Sequence, residues 1–175
     1  MTAIDSAGTG GNWNDTASWS PAQIPTAGDR VTILAGDTIT LTQNELAGSV
    51  TINSTGEIVG GGYKLTLNDA AGSTYIFSSV GTIASASTLD IDITGGSASR
   101  PINEAGAGAI NNLTINNSGI TYTLQYGLTL LGNLIITAGT LDTARASDSA
   151  AQNLTVTGAT IVGDGSSGAN TATLT

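Results

Sequence analysis

The sequence predicts an all-β protein: a right-handed parallel β-solenoid, or β-helix, of about six coils with an irregular N-terminal cap. Three observations carry this reading. A four-residue unit (any residue, apolar, usually Thr, apolar) recurs along the whole chain. Its long-range spacing clusters near ~20 residues, the length of one turn of a repeat architecture. The composition is rich in Thr, Ile, Val and Leu, with aromatic residues at 4% and charged residues at 10%. Those β-branched residues favour strands, and the usual builders of exposed helix are scarce.

The unit is first met at Arg30-Val-Thr-Ile33, Thr38-Ile-Thr-Leu41, Ser49-Val-Thr-Ile52 and Lys64-Leu-Thr-Leu67. It continues at Thr88-Leu-Asp-Ile91, Asn112-Leu-Thr-Ile115, Gly127-Leu-Thr-Leu130, Asn133-Leu-Ile-Ile136 and Asn153-Leu-Thr-Val156. Such alternation describes a strand with one buried face. Val31 to Val50 is 19 residues, Leu65 to Leu89 and Leu89 to Leu113 are 24 each, Leu113 to Leu134 is 21, and Leu134 to Leu154 is 20. Stacked in this register, the apolar residues form inward columns and the threonines outward ladders. Ile115, Leu134, Ile136 and Val156 are expected in the core. Ile120, Leu141 and Ile161, each seven residues after a column Leu, mark a second strand beyond a corner. Asn112, Asn133 and Asn153 fall at one place in three successive repeats and are expected to form a hydrogen-bonded ladder. Gly119, Gly139 and Gly158 stand just before the second strand, where a corner calls for positive φ. Right-handedness follows from the rule for parallel crossovers. A β-sandwich, the main rival, would ordinarily use larger inward aromatics and would not repeat at this steady interval.

At 175 residues the chain makes one domain, divided into a cap over residues 1–29 and a solenoid over residues 30–175. Both Trp and two of the three Pro lie in the cap. Trp13 and Trp19 read first as a lid on the open end of the core, and second as a platform on which a sugar ring could stack.

Composition excludes whole classes of chemistry. With no Cys and no His there is no disulfide framework, thiolate nucleophile, zinc cluster or Ser-His-Asp triad. With 4 basic against 13 acidic residues, a grip on nucleic acid is not expected. No apolar run reaches the ~20 residues that a membrane-crossing helix requires. The opening residues lack the basic and apolar regions of a cleaved secretory signal, so the product is expected either to remain in the cell that makes it or to leave by another route, such as a particle released by lysis.

Asp90 and Asp92 lie two apart and so on one strand face. Paired carboxylates can hydrolyse glycosides or bind Ca²⁺. The preferred reading is an outward, solvated pair alternating with buried Leu89, Ile91 and Ile93, with Lys64 within reach one coil away. The glycine runs at 60–62, 95–96 and 163–165 read as turns, since none has the setting of a phosphate cradle. No catalytic residue, cofactor or metal ligand is predicted, and the chain is read as not an enzyme. Residues 94–111 break the repeat and hold Arg100 and Glu104; they read first as a flexible small-residue loop and second as a loop that makes specific contacts. Arg100, Glu104, Trp13 and Trp19 are the candidate interaction residues. The tract 143–152 is a lesser candidate.

Gly11-Asn-Trp13, then Trp19, then Pro25-Thr-Ala-Gly28-Asp29-Arg-Val31-Thr-Ile33 resembles the opening of the G8-like, β-helical structural proteins, as found in bacterial surface proteins and at the N-termini of phage virion proteins. The later Asn-Leu-Thr-Ile, Gly-Thr-Leu-Asp and Asn-Leu-Thr-Val run is similar to the β-solenoid repeats of those proteins and of autotransporter passengers. The likeness covers most of the chain and is specific for architecture, because such solenoids serve as adhesins, fibres, decoration proteins and enzymes alike. It implies a non-enzymatic structural protein of a phage virion, a head-decoration or tail-fibre component located in the particle. Partners would be further copies of the chain, most simply as a trimer, other virion proteins, and a host surface glycan, but neither nucleic acid nor membrane. The alternative is a bacterial cell-surface or extracellular-filament adhesin module that binds glycan or protein. A carbohydrate-active β-helix enzyme comes third.

Overall fold

The computed structural model describes residues 2–8, 10–68, 73–84, 88–106, 108–145, 147–163 and 172–175. Strands β1 (Ala3–Ser6) and β2 (Gly11–Asn12) precede one turn of 3-10 helix, η1 (Thr16–Ser18), and β3 (Trp19–Ser20). Three triplets follow: β4 (Arg30–Ile33), β5 (Thr38–Thr40) and β6 (Glu45–Ala47); β7 (Ser49–Ile52), β8 (Glu57–Val59) and β9 (Lys64–Leu67); β10 (Phe77–Ser79), β11 (Thr82–Ile83) and β12 (Asp90–Ile93). The chain continues through β13 (Ile102–Glu104), the long β14 (Leu113–Thr123), β15 (Leu128–Leu130), the long β16 (Leu134–Asp142), β17 (Leu154–Val156), β18 (Thr160–Val162) and β19 (Ala172–Leu174). The protein is all-β, and among the described residues there is no α-helix.

Each triplet contributes one strand to each of three sheets. Sheet A runs β13-β10-β7-β4-β1-β3, sheet B runs β11-β8-β5-β2, and sheet C runs β18-β16-β14-β12-β9-β6 with β19 also on β16. A small sheet D pairs β15 with β17. Among the described residues every strand pairing is parallel except β1 with β3. A parallel neighbour must arrive by a crossover, so each sheet is built from strands distant in sequence.

The inward residues stack as columns. Ile4, Val31, Val50, Phe77 and Ile102 follow one another across sheet A, and Ile39, Ile58 and Ile83 across sheet B. All are buried in one continuous core. Burying an aliphatic side chain of this size contributes about 1.5–3 kcal/mol, and the columns multiply that gain rung by rung. Ile115, Leu134 and Ile136 are fully buried, as the alternation predicts, and Val156 packs against the core while half-buried.

Three predicted stackings differ: Leu65 on Leu89, Leu89 on Leu113 and Leu134 on Leu154. Leu65 pairs with Ile91, not Leu89, and Ile91 with Leu113. Leu134 stands beside Thr160, while Leu154 pairs with Leu128 in sheet D. The long β14 and β16 pair in two stretches, before and after an irregularity. There Gly119 and Gly139 hold φ of 77° and 92°, so the predicted corner exists. The pairing beyond it is Tyr122 with Leu141 and Leu174, however, and Ile161 lies beside Ile135 at 49% exposure. Gly158 does not adopt positive φ; a side chain there would meet Asn133 Oδ1 and the Gly132 carbonyl.

The first 29 residues supply rungs as well as a lid, since β1 pairs with β4 and β2 with β5. After β2, the Trp13 amide donates to Thr40 O at 2.9 Å, carrying the Trp13 ring over the end of the core. Asp15 caps η1 by accepting the Ala17 amide at 2.9 Å, and the turn delivers Trp19 against Trp13. The rings meet edge to face with centroids 5.0 Å apart, and Trp19 Nε1 donates to Trp13 O at 2.7 Å.

Candidate functional site

The carboxylates Asp90 and Asp92 do lie on the outer face of sheet C, and both are engaged in structure. Asp90 Oδ1 accepts from Asn111 Nδ2 at 2.7 Å, Asn112 Nδ2 at 2.9 Å and the Asn112 amide at 3.2 Å. Asp92 pairs with Lys64 Nζ at 2.7 Å, and this partner holds the Lys64 ammonium above its ordinary range. Lys64 therefore makes the approach expected from one rung away.

Asp90 belongs to a longer polar column. Asn44, Lys64, Asp90, Asn112 and Asn133 each precede an inward residue of sheet C in matching register, and Ala159 follows in the same register before the exposed Thr160. Asn44 Oδ1 accepts the Lys64 amide at 3.0 Å, Asp90 the Asn112 amide, Asn112 Oδ1 the Asn133 amide at 2.7 Å, and Asn133 Oδ1 the Ala159 amide at 2.8 Å. The expected asparagine ladder thus exists for Asn112 and Asn133, but Asn153 is not in it, because its strand belongs to sheet D. The signal missed in the sequence was Asp90 and Asn44: any side-chain carbonyl or carboxylate oxygen at this position serves.

Trp13 and Trp19 are 0% and 2% exposed. Their ring faces are spent on the core and on each other, so they form the lid, and a sugar could stack on neither without opening it. Residues 94–111, read as a loop, instead contain β13 and the buried Ile110, which bridges to Leu130. A short apolar Ile102 amid small residues gave little periodic signal, yet it completes the sheet A column. Glu104 consequently points inward beside Ser79 and is 8% exposed. Among the described residues neither Glu104 oxygen nor Ser79 Oγ has a well-formed hydrogen-bond partner. Burial pushes the Glu104 carboxyl up to about 7, with the Gly106 amide pulling weakly the other way. Glu45, inward at the start of the sheet C column, is also raised by burial. Within the tract 143–152, Ala144 and Ala151 form an antiparallel bridge and Arg145 pairs with Asp148 at 2.6 Å.

Arg100 does not reach outward alone: its guanidinium donates to the Ser73 carbonyl. That contact steadies the wall of a cleft of about 280 Å³ on the outer face of sheet A. Its floor is Arg30, Thr32, Ser49 and Thr51 from β4 and β7, and its wall is Ser73, Thr74 and Tyr75. Ser49 and Ser73 join floor to wall through their hydroxyls at 2.5 Å. No linear motif could reveal this site, because it is assembled from three strands (Ala3 of β1 included) and the segment leading into β10.

No family model matches the chain, and neither a curated protein nor a solved structure does so.

Proposed function

We propose that the chain is a non-enzymatic structural protein built as a right-handed β-solenoid of about six coils, and that it serves in a phage virion as a head-decoration or tail-fibre component. The observation that carries the structural role is the outer column from Asn44 to Ala159, in which side-chain oxygens accept the next rung's amide at four of the five steps and the Lys64–Asp92 ion pair bridges the remaining one. Carboxylates committed in this way act as structural acceptors, which supports a scaffold over a hydrolase. The virion assignment rests on the resemblance of the Trp13–Ile33 opening. Further copies of the chain are the proposed partner, most simply in a trimer. Val162 and Leu174 continue the inward columns of Ile136 and Leu141 yet are 45% and 37% exposed, leaving apolar surface for another chain to cover.

Mass spectrometry of purified phage particles against washed cell envelopes tests the role. Recovery in particles is expected, and recovery only in envelopes would replace this reading with the surface adhesin. Incubation with a polysaccharide panel tests the enzyme class. Product that vanishes in Asp90→Asn or Asp92→Asn would make the chain a carbohydrate-active enzyme.

A further inference from the structure

We infer that the cleft on the outer face of sheet A binds a saccharide, through the Thr32 and Thr51 hydroxyls on its floor and Tyr75 on its wall. Thr32 and Thr51 are direct register partners on β4 and β7, half-buried and outward. Adjacent strands set such partners ~4.8 Å apart, which is comparable with the separation of alternate equatorial hydroxyls on a pyranose ring. A hydroxyl both donates and accepts, so a pair of them matches a ligand made of hydroxyls without specifying charge. Three other threonine hydroxyls are consumed internally: Thr26 on Asp29, Thr38 on Glu57 and Thr42 on Asn14. Thr32 and Thr51 have no such side-chain partner among the described residues, and they face the cleft. Tyr75 adds an aromatic surface of the kind that packs against the C–H face of a sugar. Arg30, also on the floor, carries the positive charge that distinguishes an acidic sugar from a neutral one. The volume is at the small end of ligand clefts, matching one sugar unit of a longer chain.

The wall is held, not loose. Ser73 is tied to the floor by Ser49 and to Arg100 through its carbonyl, and the Ile76 amide donates to Pro101 O at 3.2 Å. Arg100 is thereby a positioning residue for this site. The inference concerns a binding site and stands apart from the virion assignment, which particle fractionation tests separately.

The test is a titration followed by amide chemical shifts, with a panel of neutral and acidic oligosaccharides (maltohexaose, chitohexaose, polygalacturonate fragments) added to the full chain. At least one sugar is expected to shift the amides of Thr32, Thr51 and Tyr75 together. Thr32→Val with Thr51→Val, which preserves shape, is expected to weaken binding at least tenfold while leaving the melting temperature within a few degrees. Tyr75→Ala is the second variant and is expected to weaken every sugar that binds. Preference for polygalacturonate, lost in Arg30→Gln, would specify an acidic sugar; equal binding of maltohexaose would specify a neutral one. Absence of shifts at these amides with every panel member up to about 10 mM, or shifts confined to another surface, or undiminished binding by the double variant, overturns the proposal.

Discussion

Asn112 Oδ1 accepts the backbone amide of Asn133 at 2.7 Å while Asn112 Nδ2 donates to Asp90 Oδ1 at 2.9 Å, so one side chain fastens its rung to both neighbours. Asn112→Ala strips the half-buried Asn133 amide of its acceptor and is expected to lower stability by about 1–2 kcal/mol. Asn153, placed in the same sequence pattern but outside the column, is expected to tolerate Ala within about 0.5 kcal/mol. Chemical denaturation of the two variants separates them, and equal losses would disprove the column's contribution.

Leu134 sits in the sheet C column between Leu113 and Thr160 and is 0% exposed. Leu134→Ala is expected to cost about 2–5 kcal/mol, the usual range for a buried leucine. Leu134→Asp buries a carboxylate without a partner and is expected to unfold the strands from β16 onward. Hydrogen exchange by region reads this out; a variant that melts like the wild type would place the column out of register.

Glu104 sets the sign of one pH dependence. Its folded pKa of about 7 lies above the ordinary 4.5, so its stabilising contribution is complete below pH 4.5 and is lost as pH rises to 7. The loss amounts to about 3 kcal/mol at most. Glu45 shifts in the same direction. Asp29 runs oppositely: burial raises it, but hydrogen bonds from Thr26 and Thr2 outweigh that and lower it, so its contribution is lost on acidification. Melting temperatures of wild type and Glu104→Gln across pH 4.5–8 are expected to converge at the acid end and to differ most above pH 7, with the glutamine variant the more stable. Parallel curves would show that Glu104 is not buried as a carboxyl group.

Trp13 and Trp19 account for both indoles of the chain. Native fluorescence is therefore expected to be blue-shifted and shielded from iodide, with a single red shift on unfolding. Trp13→Ala is expected to cost about 3–5 kcal/mol and to expose Trp19 to the quencher. Quenching of the native wild type would mean that the lid is open.

Two glycines contrast. At Gly139, φ is 92° and an added Cβ would stand 2.4 Å from Asn117 O, so Gly139→Ala is expected to destabilise by about 1–3 kcal/mol. At Gly28 nothing lies within 4 Å and φ is ordinary, so Gly28→Ala is expected to stabilise by about 0.4–1 kcal/mol through the unfolded chain. Thermal melts of the pair check the assignment.

The Val31–Val50 and Leu113–Leu134 pairings were legible because the connections around those repeats keep a near-constant length. Leu89 was mistaken for Ile91 for a definite reason: Leu89, Ile91 and Ile93 alternate without a break, and a slip of two residues leaves every side chain on its own face. Leu154 failed differently, since the same four-residue unit builds every sheet and carries no label saying which. Glu104 was hidden because an inward glutamate contradicts the alternation rule, and only the neighbouring Ile102, paired with Phe77, fixes its direction. The sheet A cleft was illegible because outward threonines occur on nearly every strand. Only the placement of Ser73–Tyr75 above Thr32 and Thr51 sets those two apart.

The sheet C column has a consequence for the extent of the sheet. Its acceptor oxygens recognise a backbone amide, which every residue but proline offers, so the joint between rungs is generic. Excising the repeat between Asp90 and Asn133 would present the same oxygen to the same kind of donor, and the seam would close on a sheet shorter by one strand. The number of strands in sheet C is thus a quantity that whole-repeat deletion or duplication can adjust while keeping the same kind of joint.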